Sequence, residues 1–260
     1  MLKTKVALIT GSTSGIGLAT AHVLARQGMD LVLHGLLSQE EGEKLAAEFS
    51  AQYGISTLFD NADLKNPDAL NLFIDKAQAE MSGIDILVNN AGIQHTESLI
   101  TFPAEKWQDI IAINLSSAFF AMQKVLPGMQ ENAWGRIINV ASVHGLVAST
   151  HKSAYCAAKH GLVGLTKVAA LECAEHGITV NAICPGWVDT PLINDQISSL
   201  ARRENIEVSQ AKYQLITAKQ PVPEMASPEQ VGEFISFLCG ESARGITGAS
   251  LPIDGAWTAQ

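Results

Sequence analysis

Residues 5–35 read KVALITGSTSGIGLATAHVLARQGMDLVLHG. An apolar run (5–10) enters a glycine cluster, Thr10-Gly11-Ser12-Thr13-Ser14-Gly15-Ile16-Gly17. A segment of helical period follows (15–28), then a second apolar run ending at His34 and Gly35. Glycines let a chain turn sharply, bring backbone N–H groups close to a pyrophosphate, and pack a helix tightly against the preceding strand. A glycine cluster alone is a weak signal, since ordinary turns produce many. Here it lies between the first strand and the first helix, as a dinucleotide site requires.

The same alternation continues outward along the chain. Apolar runs at 55–60, 84–90, 135–142, 177–186 and 249–254 are separated by helical-period segments at 39–53, 67–82, 104–131, 153–176 and 228–240. Nearly continuous apolar strands joined by helices predict an α/β fold, a parallel sheet covered on both faces. No linker or repeat interrupts the pattern, so a single domain over 1–260 is expected. Residues 190–225 break the rhythm as a polar, partly helical insertion. A small helical lid over a substrate is one reading, and plain interface helices are the other.

Composition narrows the function classes. The formal net charge of −9, from 17 Lys and Arg against 26 Asp and Glu, argues against a nucleic-acid surface. The four cysteines (Cys156, Cys173, Cys184, Cys239) lack Cys-x-x-Cys spacing and lie in apolar surroundings, so they read as small core residues rather than metal ligands or disulfides. The first apolar run is too short for a signal or membrane segment, and cytoplasmic residence without membrane attachment is expected.

Residues 140–164, VASVHGLVASTHKSAYCAAKHGLVG, carry the chemistry. Tyr155 and Lys159 share a face if 153–176 is a helix, because residues four apart are neighbours. Tyr155 would serve as general base in alcohol oxidation and general acid in ketone reduction. Drawing a phenol from its usual pKa near 10 toward ~7 takes about 4 kcal/mol, which Lys159 and the positive ring of an oxidised cofactor are expected to supply. Ser142 follows a strand at its carboxyl end, where open α/β sheets bind ligands.

With Asn89-Asn90-Ala91-Gly92, Asn114, Ser142, Tyr155 and Lys159, the T-G-x-x-x-G-x-G spacing resembles the short-chain dehydrogenase/reductase family. The resemblance extends through Pro185-Gly186-Trp187-Val188-Asp189-Thr190-Pro191 to the Asp254-Gly255-Ala256-Trp257 ending. It implies a Rossmann-type, doubly wound domain with a seven-stranded parallel sheet, assembled as a homotetramer. It also implies that Ser142 steadies the substrate oxygen and that Asn114 holds a water passing protons outward from Lys159. Gly11, Thr13, Ser14, Gly15, Ile16 and Gly17 would cradle the cofactor phosphates. Leu36, Asp63 and Leu64 would face the adenine half, and Asn90, Ala91, Gly92, Tyr155, Lys159, Pro185, Gly186, Val188 and Thr190 the rest. Asp63 has a second reading, as N-cap of the helix from about 66.

No Lys or Arg occurs between Arg26 and Lys44, where NADP sites place cations for the 2′-phosphate. An acidic residue for the ribose is missing too, since His34, Gly35 and Leu36 stand at the strand end; the lack of cations beside Glu40 and Glu41 favours NAD.

Lys152 and His144 lie outside the shared catalytic set and probe the substrate. Singly, each reads as an ordinary loop residue. Together with Gln94, Trp187, Gln196 and Trp257 they resemble family members that oxidise D-3-hydroxybutyrate to acetoacetate with NAD. That resemblance implies that Gln94, His144, Lys152 and Gln196 grip a carboxylate while Trp187 and Trp257 wall the methyl end; Trp257 as a subunit-contact residue is the plainer alternative. A carboxylate clamp beside the alcohol fits a small anionic 3-hydroxy acid. The rivals are a 3-oxoacyl thioester reductase or small polyol dehydrogenase of the same family, and a nucleotide-sensing protein without catalysis.

Overall fold

In the computed structural model, which describes residues 4–259, every expected strand is present. The ends of the expected 1–260 domain, 1–3 and 260, lie outside the described residues. The strands are β1 (Val6–Ile9), β2 (Asp30–His34), β3 (Thr57–Asp60), β4 (Ile86–Asn89), β5 (Gly135–Val140), β6 (Ile178–Pro185) and β7 (Ser250–Ile253). They form one parallel seven-stranded sheet in the order β3-β2-β1-β4-β5-β6-β7.

The helices are α1 (Gly15–Arg26), α2 (Gln39–Tyr53), α3 (Pro67–Met81), α4 (Ala104–Ile111), α5 (Ser117–Glu131), α6 (Ser153–Cys173), α7 (Pro191–Glu204), α8 (Val208–Thr217) and α9 (Pro228–Cys239). Side-chain alternation along the strands splits the core in two. From β1, Ala7 and Ile9 pack with Leu24, Phe49 and Ile235 on one face, while Val6 and Leu8 pack with Phe73, Val125 and Ala169 on the other. Both faces are thus buried, which is why the strands read as unbroken apolar runs. Local signals set the helix starts: Ser38 and Ser227 close capping boxes with Glu41 and Gln230, and Asn66 caps α3. The Asn66 cap removes the alternative reading of Asp63.

The strand order changes direction between β1 and β4, and the crevice beyond the carboxyl ends of these strands is the place where such sheets bind ligands. The expected helix 104–131 is broken by a π turn at Ala112–Ser116 between α4 and α5. By length and composition this run could cross a membrane, yet it packs over the sheet with α3 and α6 and carries Pro127 within α5. The 190–225 excursion is a pair of helices, α7 and α8, sharing Ile197, Ala201 and Ala211, and the chain returns at a bridge between Val188 and Ala226.

Candidate active site

The glycine turn makes the floor of a cavity of about 440 Å³ at the strand ends. Gly11 and Gly15 have φ of 66° and 53°, in the left-handed region that glycine adopts cheaply. Gly17 does not line the cavity. It stands behind the loop, where a Cβ would overlap the Gly11 carbonyl oxygen and Asn90, so its role is close packing of α1. The α1 N-cap, Ser14, makes no side-chain cap bond, leaving the first-turn amides free to face an anion. Asn90 braces the turn by donating from Nδ2 to the carbonyls of Thr10 and Gly11 at 2.9 and 3.0 Å.

The other residues expected around the cofactor all border this cavity. Thr13 and Ile16 line the phosphate end; Leu36, Asp63 and Leu64 line one extremity; Ala91, Gly92, Pro185, Gly186, Val188 and Thr190 line the remainder toward Ser142, Tyr155 and Lys159. Leu36 is 90% exposed at the rim. A side chain at Gly35 would collide with the Thr13 side chain, so Gly35 itself cannot carry an acidic or basic group without moving Thr13.

Tyr155 and Lys159 rise from the first turns of α6, and Ser142 begins the short turn after β5. The Lys159 ammonium lies 5.6 Å from the Tyr155 ring and donates to the Val140 carbonyl at 2.8 Å. Burial pulls Lys159 down to about 8. Burial also pushes Tyr155 up to about 12, opposed by a hydrogen bond with Ser142. Burial thus opposes the lowering expected from Lys159 together with the positive ring of an oxidised cofactor. The Lys159 ammonium itself is aimed at the Val140 carbonyl.

Asn114 occupies the π turn, and this explains how a polar residue sits inside a helix. Its side-chain amide accepts from Ile93 N–H at 2.9 Å and donates to Ile93 O at 2.8 Å. A Cβ on Gly92 would lie 3.5 Å from Asn114 Oδ1 and 3.6 Å from Lys159 Nζ, so both groups border the same small space.

Next to Ser142 and Tyr155 stands the expected clamp. His144 Nδ1 is 3.4 Å from Ser142 Oγ, and its Nε2 is 3.0 Å from Ser149 Oγ. Its ring packs edge-on against Tyr155 and Trp257, and Trp257 packs against Trp187 at 5.3 Å. Burial, reinforced by Lys152, lowers His144 to about 4, so the ring is neutral at physiological pH. Lys152 donates to Gln94 Oε1 at 3.2 Å and lies 5.9 Å from the Trp187 ring. Burial lowers its pKa as well, and no acidic side chain pairs with it among the described residues. Trp187 Nε1 and Gln196 Nε2 are buried without an acceptor. Trp257 is buried within this cluster, packed with Val143, Trp187 and Ile216.

Sequence reasoning missed three participants. Ser149 fixes His144, Ile93 fixes Asn114, and His34 joins the cavity wall. Backbone partners leave no mark in a sequence, and Ser149 reads as one loop serine among several.

A model described as short chain dehydrogenase matches residues 5–200. The chain belongs to the short-chain dehydrogenase family. It is therefore an oxidoreductase of the kind that works with a nicotinamide cofactor. The chain is 50% identical over 260 residues, all of both chains, to D-beta-hydroxybutyrate dehydrogenase of Cupriavidus necator. To the protein of that name from Rhizobium meliloti it is 46% identical, covering 99% of this chain and 100% of that one. Among solved structures, L-sorbose reductase of Gluconobacter frateurii with NADPH and L-sorbose superposes with a TM-score of 0.92 at 30% identity, covering 98% of this chain and 96% of that one. An actinorhodin polyketide ketoreductase with NADPH gives 0.90 at 32%, covering 99% and 98%.

Proposed function

We propose that this short-chain dehydrogenase interconverts D-3-hydroxybutyrate and acetoacetate with NAD. The observation that carries the substrate class is Lys152, a partly buried ammonium that donates to Gln94 beside Trp187 and has no acidic partner among the described residues. An unpaired, partly desolvated charge is costly, and a carboxylate supplies what it lacks. The relatives in Cupriavidus and Rhizobium support the D isomer and the four-carbon length.

When bound, the nicotinamide dinucleotide accepts or returns the hydride at C3. The chain's own groups do the rest. Ser142 and Tyr155 hold the C3 oxygen, and the Tyr155 oxygen takes the hydroxyl proton during oxidation. Lys159, held by the Val140 carbonyl and bordering the same space as Asn114, favours the phenolate and hands protons outward. Lys152 and Gln94, with neutral His144 and Gln196, hold the carboxylate; Trp187 and Trp257 close the methyl side. Helices α7 and α8 act as the lid, since Ile193 and Pro191 already border the cavity.

NAD rather than NADP is supported at the rim, where Leu36, Gly35 and Asp63 offer no cation to a 2′-phosphate; among the described residues lining the cavity, Lys159 is the one Lys or Arg, beside Tyr155 rather than at this rim. A homotetramer is supported by apolar side chains left exposed on α5 and α6, namely Phe119, Val168 and Leu171. Comparing D-3-hydroxybutyrate with its methyl ester tests the clamp: the ester should lose most of kcat/KM. Equal turnover of acid and ester would remove the carboxylate from the account.

A further inference from the structure

His34 closes β2 and is 2% exposed, yet both ring nitrogens are engaged. Nδ1 accepts from the Gly11 N–H at 3.2 Å, and Nε2 lies 2.9 Å from the Ala62 carbonyl oxygen. A carbonyl can only accept, so Nε2 carries the proton and Nδ1 is free to accept. The backbone adds a second tie, with His34 N–H donating to Ser12 Oγ at 2.9 Å and Ser12 N–H donating to the His34 carbonyl at 2.7 Å. The ring packs against Phe73 of α3 at 5.5 Å. One side chain therefore joins the phosphate turn, the end of β2 and the segment leading to Asp63. All three border the cavity.

We propose that His34 is a positioning residue for the dinucleotide, its neutral imidazole fixing the Gly11 amide and hence the curvature of the phosphate turn. Burial lowers the pKa of the ring and keeps it in the accepting form. The Gly11 carbonyl is held by Asn90 Nδ2 at 3.0 Å, so freeing its N–H leaves the turn without one of its two ties to side chains. His34 is 23 residues from Gly11 and far from Tyr155 in sequence, and it acts on binding through the loop rather than on the reacting atoms.

This inference rests on the cavity being a nicotinamide-dinucleotide site. The test measures NADH affinity by fluorescence at about pH 7.5, together with KM for NAD and kcat, in three proteins. His34→Leu removes the acceptor, while His34→Asn places a carbonyl oxygen where Nδ1 stands. The leucine variant should weaken NADH binding and raise KM about tenfold or more, the size of one lost hydrogen bond with its N–H left unpaired, with kcat nearly unchanged at saturating NAD. The asparagine variant should recover to within about threefold, because it restores that one acceptor. Wild-type affinity in the leucine variant, equal weakening in both, or loss of kcat at unchanged KM would each overturn the proposal. If His34→Leu does not fold, His34→Gln, whose carbonyl lies one bond further out, should show the same weakening; unchanged affinity there overturns it. A wild-type protein that binds neither NADH nor NADPH would overturn the cavity reading itself.

Discussion

Replacing Lys152 with methionine keeps most of the stem against Trp187 and removes the ammonium. In the structure that ammonium donates to Gln94 Oε1 at 3.2 Å and lies 5.9 Å from the Trp187 ring, with no acidic partner among the described residues to offset its desolvation. A substrate carboxylate would be its first full counter-charge. A charge-assisted bond in such a partly dry site contributes roughly 2–4 kcal/mol, which corresponds to about 30- to 900-fold in kcat/KM. Initial rates of NADH formation with D-3-hydroxybutyrate read this loss directly. Poor turnover of the methyl ester should be unaffected by the substitution, since the ester has no charge to lose. Loss of activity toward acid and ester alike would mean that the variant disturbs Tyr155 or the fold, and an unchanged kcat/KM toward the acid would remove Lys152 from the site.

Other consequences are as concrete. The Tyr155 oxygen must be deprotonated for oxidation and protonated for reduction. Oxidation should therefore rise with pH and reduction fall, and Lys159→Met, which removes a cation 5.6 Å from the Tyr155 ring that favours the phenolate, should move both profiles upward in pH. His144 is lowered to about 4 from 6.5, so it stays neutral in the fold while an unfolded chain protonates. Stability held above pH 6.5 is thus lost as pH falls through about 4, and between about pH 7.5 and 5 this one group costs about 2 kcal/mol. Urea unfolding of His144→Gln should show a correspondingly shallower acid loss. Gly17→Ala forces a Cβ into the Gly11 carbonyl, so a stability loss of about 1–3 kcal/mol with weaker NADH binding is expected in melting and titration experiments.

The fold was legible because its two signals reinforce each other. The apolar runs lack alternation since both sheet faces are covered, and the glycines sit where the first strand must turn into α1. Capping residues Ser38, Asn66 and Ser227 mark helix starts in the sequence itself. The π turn at Ala112–Ser116 was not legible, because a run of apolar residues at helical spacing does not reveal one extra residue in a turn. Asn114, which sits in that turn, bonds Ile93 and lies near Lys159. Residue identity pointed to Tyr155 and Lys159 but not to their energetics, since the competition between burial and the ammonium depends on where Lys159 points. His34 escaped notice as a participant for a similar reason. The sequence shows only that an acidic residue is missing from the end of β2, and the partners of the ring, Gly11 and Ala62, are backbone groups on other segments.

The central claim is tested most directly by initial rates with NAD and with NADP against D- and L-3-hydroxybutyrate. Strong turnover confined to NAD and the D isomer is the result this structure predicts. Inactivity on both isomers, together with NADPH-dependent reduction of a 3-oxoacyl thioester, would contradict it.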